Sequence, residues 1–528
     1  MLHEFNEHSG AAHGLPAAVL TQSERPHDIG VSVRADRRIE RAIVMTIVVL
    51  VILARSAIFV FWEQAHFDSD QAIVGLMAKH LSEGRAFPMF MYGSNYVLAI
   101  EAWMSAAVFL VAGASVAALK IPLLTINIVV GLLLVWLLER EAGLRPALAG
   151  LAAVFFILPP PGPASELVNA NGANLEPFLY VLLIWMTRHR PVLCGLIAGI
   201  GFLQREFTIY APLALLLIGA ASGAVRTREG GRRILAAARV AVEVWLVAAV
   251  LKTFASPAGP ATSLADVPMS NNVANMIGRI CVDPTTVVRG VSSLVSEHWV
   301  RLFGLRIEPL ILFGIESRLS YVPHGTRIVL AAAMALALVR VAMSLAARRR
   351  VPGRSFFAVY LMLVGLLSAG AFVVARCGAV GDVRYALLSM IGAVGLAAWF
   401  LQVEQRPLLK GIWIALVAAW ALDSAVGHGQ LWAEYIRNPP PGAKRLIIEH
   451  LDARGVRYAM ADYWNAYYIS FLTRERIIVR SIDVDRIHEY DRLVAAHLGE
   501  AVLISRTPCQ GASGERILPG TYLCPPPP

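Results

Sequence analysis

The chain has 528 residues, of which 57% are hydrophobic and 16% charged, and its formal net charge is +10. A soluble protein carries about a quarter of charged residues, so this composition excludes an ordinary soluble domain. Lys and Arg gather in short loops between apolar runs, which is the positive-inside pattern of membrane proteins rather than a nucleic-acid-binding face. Several runs approach the roughly 20 residues that cross a bilayer. The sequence therefore predicts an all-α polytopic membrane protein.

Residues 1–33 are polar and rich in His, Pro and Ser, which favours a disordered segment. They lack the short apolar core and small-residue cleavage site of a signal peptide. Four arginines precede the first span and should hold this segment in the cytoplasm: Arg34, Arg37, Arg38 and Arg41.

From there, apolar spans alternate with basic and polar loops, which predicts about 11–13 transmembrane helices in a domain over 34–430. The spans named individually are 42–61, 117–138, 147–158, 175–186, 192–203, 207–221, 240–254, 327–345, 356–375, 384–401 and 411–426. The alternation of charge is consistent only if 96–113 does not fully cross. We therefore expect two helices in the outer layer, at 69–84 and 96–113.

The composition changes after the last span, and 431–528 is predicted to be a small periplasmic α/β domain with a Pro-rich tail. Helices are expected at 443–454 and 485–497, and strands at 456–461, 476–480 and 501–505. Cys509 and Cys524 lie in this domain and are the candidate disulfide. Unpaired thiols are the alternative, because spacing alone does not determine connectivity.

Acidic residues stand where the chain leaves or re-enters the membrane. Asp68 and Asp70 begin the helix at 69–84, and a helix N-terminus favours the ionised carboxylate that a general base needs. The alternative for both is helix capping. Glu176 begins another span, where an acid is costly unless it is used or paired. Helix initiation with the following proline is the alternative there, and Glu166 in the same loop competes for the role.

Arginines near the outer surface are candidates for binding a phosphate. Arg55 lies inside the first span, Arg205 in an outer loop, and Arg384 beside Tyr385 at the start of a late span. Arginine matches phosphate oxygens with a bidentate fork, and the alternative is snorkelling to the interface. Tyr96, at the start of the second outer helix, joins the substrate-binding candidates.

The sequence shows no His or Cys cluster with metal-ligand spacing and no Gly-rich phosphate loop. The Asp68-Ser69-Asp70 triplet supplies oxygen ligands of the kind that divalent ions accept, but a lone pair of acids is a weak signal. No cofactor is therefore predicted, and a divalent metal is not favoured.

The chain resembles the GT-C membrane glycosyltransferases, in the bacterial branch akin to protein O-mannosyltransferases and the lipid A aminoarabinose transferase. Asp70-Gln71, Glu176-Pro177-Phe178 and Arg384-Tyr385 stand where that family has Asp-Glu, Asp-Pro-Phe and Arg-Tyr. The resemblance covers roughly 40–427, mostly as a hydropathy pattern, and the run 458–479 is similar to periplasmic tails of bacterial members. Gln71 and Glu176 depart from the family residues.

The resemblance implies a hexosyl- or pentosyltransferase in the bacterial inner membrane. It would transfer a sugar from a polyprenyl-phosphate donor to a lipid, glycan or protein acceptor on the periplasmic face. Asp70 would be the base, Glu176 would share that role or position the acceptor, and Arg384 with Arg55 or Arg205 would stabilise the leaving phosphate. Expected partners are the donor, the acceptor and membrane lipids, but no nucleic acid. The alternatives are a transporter or lipid flippase without transferase activity, or a non-catalytic scaffold.

Overall fold

A computed structural model of the chain describes residues 26–93, 97–254, 278, 280–305, 308–309, 320–321, 326–348, 355–375, 383–439, 442–509 and 514–526. Two predictions fall wholly or partly outside these residues: the role of Tyr96, and the disordered segment over 1–33, of which 1–25 are not described.

The described helices are numbered in chain order. Those of the first half are α1 (Pro26–Phe61), α2 (Ser69–Ser82), α3 (Ile100–Ala112), α4 (Val116–Arg140), α5 (Pro146–Ala152), α6 (Val154–Ile157), α7 (Pro161–Glu166), α8 (Glu176–Thr187), α9 (Pro191–Gln204), α10 (Tyr210–Ala221) and α11 (Arg228–Phe254). Those of the second half are α12 (Pro284–Ser293), α13 (Trp299–Leu302), α14 (Thr326–Arg348), α15 (Phe356–Val374), α16 (Met390–Val403), α17 (Pro407–Arg437), α18 (Ala443–Ala453), α19 (Tyr463–Leu472) and α20 (His488–Ala496). A 3₁₀ segment, Val383–Ser389, leads into α16.

Seven of the described helical segments are long and apolar enough to cross a membrane: α1, α4, α11, α14, α15, α17, and the 3₁₀ segment together with α16. Shorter apolar helices accompany them at Ile100–Ala112, Glu176–Thr187, Pro191–Gln204 and Glu206–Ala221. The predicted fold class is confirmed: the protein is a mostly helical, multi-pass membrane protein with a small C-terminal α/β domain.

One predicted span has a different form. Residues 147–158 contain two helices, α5 and α6, of 7 and 4 residues. At about 1.5 Å per residue neither is long enough to cross a hydrocarbon layer of about 30 Å. The prolines that follow, Pro159 to Pro161, have no N–H to continue a helix.

Close helix packing builds the bundle around α1 and α4. A Cβ atom placed on Gly131 of α4 would lie 2.6 Å from Cδ1 of Ile52 in α1. Glycine therefore lets the two helices pack at this distance without displacing the tip of the Ile52 side chain. At one end of the bundle, ion pairs join the ends of neighbouring helices, including Arg41 to Glu139 at 2.6 Å and Arg188 to Glu141 at 2.8 Å. We call this the arginine end.

At the opposite end, which we call the site end, α1 stops at Phe61 and α2 begins at Ser69. The C-terminal domain lies there. Its sheet has five described strands in the order β4-β3-β5-β7-β6. β3 is parallel to β4 and β5, and the pairings of β5 with β7 and of β7 with β6 are antiparallel. The strands are β3 (Tyr458–Ala461), β4 (Ile478–Ser481), β5 (Val502–Ser505), β6 (Glu515–Leu518) and β7 (Thr521–Cys524), and a separate two-stranded pair is β1 (Glu308–Pro309) with β2 (Ser320–Tyr321).

Two features of this domain were not foreseen from the sequence: helix α19, and the hairpin of β6 and β7. The α19 sequence, YWNAYYISFL, is rich in aromatic residues that favour strands, and its helical form depends on packing against α2. The hairpin has weak apolar alternation because only some of its residues are buried. A disulfide joins Cys509 to Cys524 at the end of β7.

A buried carboxylate, Glu475, is one of the groups that join the domain to the bundle. It accepts hydrogen bonds from Lys79 Nζ (2.5 Å), His80 Nε2 (2.9 Å), Arg85 Nη1 (2.7 Å) and the Tyr490 hydroxyl (2.8 Å). Burial alone would raise the pKa of this carboxyl group, but the hydrogen bonds from His80, Lys79 and Arg85 hold it well below its usual range. We call this group the Glu475 clamp. It secures the domain beside α2.

Candidate active site at the end of the bundle

The first turn of α2 carries two acids with different surroundings. Asp68 is the N-cap residue, and its Oδ1 accepts a hydrogen bond from the Gln71 backbone N–H at 2.9 Å. Asp70 lies in the first turn, where the helix dipole favours a negative charge. The capping alternative raised from the sequence therefore applies to Asp68 and not to Asp70.

Asp70 stands between the bundle and the C-terminal domain. Its Oδ1 accepts a hydrogen bond from the Tyr463 hydroxyl of α19. Its Oδ2 lies 3.7 Å from Nη1 of Arg384, and the two side chains are 24% and 22% exposed. The acid, the guanidinium and the phenol therefore form a half-open cluster that solvent or a substrate can reach.

A second arginine joins this cluster through an aromatic ring. The guanidinium carbon of Arg384 lies 5.2 Å from the centroid of the Tyr385 ring, and that of Arg205 lies 5.9 Å from the same centroid. Within the described chain, Nε of Arg205 is buried without a hydrogen-bond partner. Two cations thus flank one tyrosine, and one of them retains a free donor.

Arg205 contacts a loop that lies beside two buried carboxyl groups, those of Glu101 and Glu176. Its Nη1 donates to the carbonyl of Gly172 at 3.1 Å. The backbone N–H groups of Gly172 and Ala173 donate to the Glu101 carboxylate at 3.0 and 2.6 Å. Glu176 lies beside Glu101 and accepts from Gln204 Nε2 at 3.1 Å, and its Oε2 is buried without a hydrogen-bond partner among the described residues. Burial and the neighbouring Glu101 raise the pKa of the Glu176 carboxyl group. The two N–H donors on Glu101 favour the negative charge on Glu101 and the proton on Glu176.

Gln71, which stands where the resembled family has Glu, joins α2 to the loop that precedes α8. Its amide nitrogen donates to the His66 carbonyl at 3.2 Å, and its amide oxygen accepts from the Ala170 N–H at 3.4 Å. An amide donates and accepts at once, whereas a carboxylate only accepts. The departure from the family pattern therefore has a structural role.

A buried lysine lies behind Asp68. Lys120 of α4 is fully buried and donates to the carbonyls of Phe59 (2.9 Å) and His66. It interacts electrostatically with Asp68 and with Glu166, whose Oε2 accepts from Asn174 at 3.1 Å. Burial and the nearby lysine lower the pKa of His66 to about 3, so this imidazole is neutral. Burial, and to a lesser extent the charge of Asp70, raises the pKa of Asp68 to about 6.

Arg55 has different neighbours from the other candidate arginines. Its Nε donates to the Ile157 carbonyl at 2.9 Å, and its Nη2 donates to Asn127 Oδ1 at 2.8 Å. It is 2% exposed and joins α1 to α4 and to the end of α6. The structure brings Asp70, Arg384, Tyr385 and Arg205 together, connects Glu176 to them through Arg205, and gives Arg55 contacts elsewhere.

Three residues of the site were missed from the sequence: Tyr463, Glu101 and Lys120. Lys120 and Glu101 carried a usable signal, because a charge inside an apolar helix is costly unless it is paired. Tyr463 carried no such signal, since it lies 393 residues after Asp70 and reaches it only when the C-terminal domain docks on the bundle. Among the described residues, no group of three or more His, Cys, Asp or Glu side chains is placed to hold a metal ion.

The arrangement supplies an accessible carboxylate, two arginines and a phenol at the junction between apolar helices and a water-exposed domain. A carboxylate there can accept a proton from a hydroxyl group. The arginines can stabilise an anionic leaving group. Together these are the groups that transfer from a phosphate-bearing molecule at the membrane surface would use.

No family model matches the chain, and no curated protein matches it. Among solved structures, the chain is similar to the oligosaccharyltransferase of Archaeoglobus fulgidus in its apo form, with a TM-score of 0.44, 13% identity, and coverage of 88% of this chain and 69% of that one. It is also similar to ArnT from Cupriavidus metallidurans bound to undecaprenyl phosphate, with a TM-score of 0.39, 13% identity, and coverage of 88% and 93%. At these values the likeness carries no argument about the site or its chemistry.

Proposed function

We propose that the protein is a membrane glycosyltransferase of the GT-C kind, which moves a sugar from a polyprenyl-phosphate-linked donor to an envelope acceptor. The observation that carries this proposal is the Asp70–Arg384–Tyr463 cluster at the end of the bundle. A polyprenyl chain needs apolar helices beside it, whereas its phosphate and sugar need polar groups at the surface. The cluster lies where both requirements meet.

Arg384 and Arg205 are the proposed phosphate ligands, with Tyr385 between them. Guanidinium groups match phosphate oxygens geometrically and remain charged at every relevant pH. The unpartnered Nε of Arg205 is a donor that a phosphate oxygen can accept. We assign Arg55 to the packing of the bundle, because it is 2% exposed and its Nε and Nη2 are bound by Ile157 and Asn127, which leaves only Nη1 without a partner among the described residues.

Asp70 is the proposed base. When the donor phosphate binds Arg384, the ion pair with Asp70 is exchanged for one with phosphate, and the carboxylate becomes available to an acceptor hydroxyl. The acceptor oxygen then forms a bond to the anomeric carbon as the bond from that carbon to the phosphate oxygen breaks. The bonding electron pair leaves on the polyprenyl phosphate, the hydroxyl proton passes to Asp70, and the anomeric configuration inverts.

Glu176 supports the site from behind. Its carboxyl group is 2% exposed, accepts from Gln204 and lies beside Glu101. This burial favours a positioning role over a share in the base, because the neighbouring Glu101 binds the loop whose Gly172 carbonyl accepts from Arg205.

The proposed orientation places the site end in the periplasm of a bacterial inner membrane and the arginine end in the cytoplasm. The basic residues at the arginine end follow the positive-inside rule. The donor would then be used on the periplasmic face, and the acceptor would be a lipid, glycan or protein of the envelope.

We propose that transfer requires no divalent metal, and a chelator tests this directly. Transfer by the purified protein should survive EDTA. Loss of transfer that magnesium or manganese restores would instead assign Asp68 and Asp70 as metal ligands.

The function is tested with purified protein in nanodiscs and radiolabelled undecaprenyl-phosphate sugars. The expected result is release of undecaprenyl phosphate, reduced at least about tenfold by Arg384→Ala through loss of a charged hydrogen bond to phosphate. Arg476→Ala is the matched control, since Arg476 pairs with Asp452 at 3.0 Å within the C-terminal domain, away from the cluster. Labelled lipid that crosses a vesicle membrane without being cleaved would favour a transporter or flippase.

A further inference from the structure

A cleft of about 730 Å³ opens between the bundle and the C-terminal domain. This volume lies within the range of small-molecule sites. Its walls are made by α18, α19, Arg506 after β5 and the turn between β6 and β7. Asp68 is the residue of the cleft that comes from the membrane bundle.

An exposed indole forms one wall of the cleft. Trp464, the second residue of α19, is 41% exposed although it lies beside a folded domain. Its ring centroid is 5.2 Å from that of Tyr463, the residue that donates to Asp70. The backbone of α19 therefore fixes the position of the cleft relative to the proposed base.

The polar side chains around the indole are fixed by hydrogen bonds to one another. Lys444 donates to the side-chain oxygen of Asn465, and Asn465 donates to Asp462 at 2.8 Å. Arg506 makes two hydrogen bonds to the same Asp462, at 2.9 and 3.1 Å. These groups need little reordering to receive a ligand, and a preorganised polar rim lowers the entropic cost of binding.

This combination suits a sugar ring better than the other acceptors considered. A pyranose presents C–H groups on one face, which pack on an aromatic ring, and hydroxyls around its edge, which need fixed amide, carboxylate and cationic partners. Leu446, Ile447 and Leu518 also line the cleft and suit the C–H groups of a sugar. Lys444, Asn465 and Arg506 supply partners for hydroxyl groups, which a hydrocarbon chain lacks. The walls come almost entirely from the water-exposed domain, so the ligand enters from the aqueous side.

We propose that this cleft binds a saccharide acceptor and that Asp68, at its bundle end, accepts a hydrogen bond from the acceptor hydroxyl and holds it for Asp70. The proposal rests on the proposed function and names its acceptor class. Asp68 is the cap and Asp70 the first-turn acid of the same helix. A sugar held at Asp68 therefore lies beside the base without entering the bundle.

The test uses the full-length purified protein and two separate measurements. Binding is measured without donor on a printed array of bacterial-envelope oligosaccharides. Donor cleavage is measured as hydrolysis of an undecaprenyl-phosphate sugar by water. Trp464→Ala should weaken array binding at least about tenfold, whereas Trp464→Phe, which keeps an aromatic face, should retain most of the binding.

Trp103→Ala is the matched control, because the Trp103 side chain is 40% exposed but belongs to α3, outside the cleft. Thr521→Trp is a second variant that fills the cleft from the β6–β7 turn and leaves α19 intact. It should also abolish array binding.

The outcomes separate the two proposals. Array binding that is absent in the wild type, or unchanged in both Trp464→Ala and Thr521→Trp, would overturn the acceptor cleft. Trp464-dependent array binding without any donor cleavage by the wild type would support the cleft and overturn the glycosyltransferase.

Discussion

Two carboxylate clusters lie at the site end, and they differ in their exposure to solvent. In the open cluster Asp70 lies 3.7 Å from Arg384, and in the closed cluster Glu101 binds the loop whose Gly172 carbonyl accepts from Arg205. Arg384 and Arg205 flank the ring of Tyr385, which lies between the clusters. The Asp70 side chain is 24% exposed, whereas Glu176 is 2% exposed and lies beside Glu101. The comparison teaches that an acid at a membrane edge can act on a substrate only where the fold leaves it open. The closed cluster instead holds the loop behind the open one.

The largest effect is expected for the open cluster. Asp70→Asn keeps the side-chain shape but removes the proton acceptor, which typically costs about 10²–10⁴-fold in rate. Single-turnover transfer from a purified lipid donor measures it. Glu176→Gln should transfer at close to the wild-type rate. The reverse order of the two variants would place the base in the closed cluster.

The Glu475 clamp determines whether the open cluster is complete, because Tyr463 reaches Asp70 only when the C-terminal domain is docked. Glu475→Ala leaves Lys79, His80 and Arg85 without their shared acceptor, and breaking such a buried group costs about 3–5 kcal/mol. Hydrogen exchange should increase in both α2 and α19. Arg476→Ala, which removes an exposed pair with Asp452, is the control. Protection of α19 that is unchanged in Glu475→Ala would show that packing alone docks the domain.

Within the closed cluster, the two glutamates should respond differently. Glu101→Gln removes a charge that accepts two backbone N–H groups, and a hydrogen bond to a charged group contributes about 1.5–3 kcal/mol. Glu176→Gln replaces a protonated acid with a neutral group of the same shape and should cost much less. Thermal unfolding of the purified variants compares them. Equal losses would mean that Glu176 is ionised.

The smallest effect concerns pH. Burial and the neighbouring Asp70 raise the pKa of Asp68 to about 6, so acceptor binding that needs its carboxylate should halve near pH 6 and fall further in acid. The contribution of Asp68 to folding stability depends on pH in the opposite direction from acceptor binding. The folded state holds this proton more tightly than the unfolded chain, so the contribution of Asp68 to stability is complete below about pH 4 and is lost as the pH rises through about 6. The acceptor KM measured from pH 5 to 8 should lose this dependence in Asp68→Asn. A wild-type KM that is flat over that range would contradict the role of Asp68.

The sequence predicted well what depends on local composition. Long apolar runs and the basic loops between them indicated the membrane helices, because each span must bury its own backbone and side chains in lipid. Where the apolar run was shorter, as in 147–158, the sequence did not reveal that the segment divides into two short helices ahead of three prolines.

By itself, the sequence determined that this is a multi-pass membrane protein and that Asp68 and Asp70 begin a helix at the end of its first span. Tertiary structure decided which acids are open, which arginines converge and which residue of the C-terminal domain completes the site. The sequence does not distinguish the roles of its candidate arginines, Arg55, Arg205 and Arg384. In the structure Arg55 packs inside the bundle, whereas Arg205 and Arg384 flank the ring of Tyr385. The reason is physical: helix formation depends on neighbours three or four residues apart, whereas access and charge pairing depend on contacts between segments hundreds of residues apart.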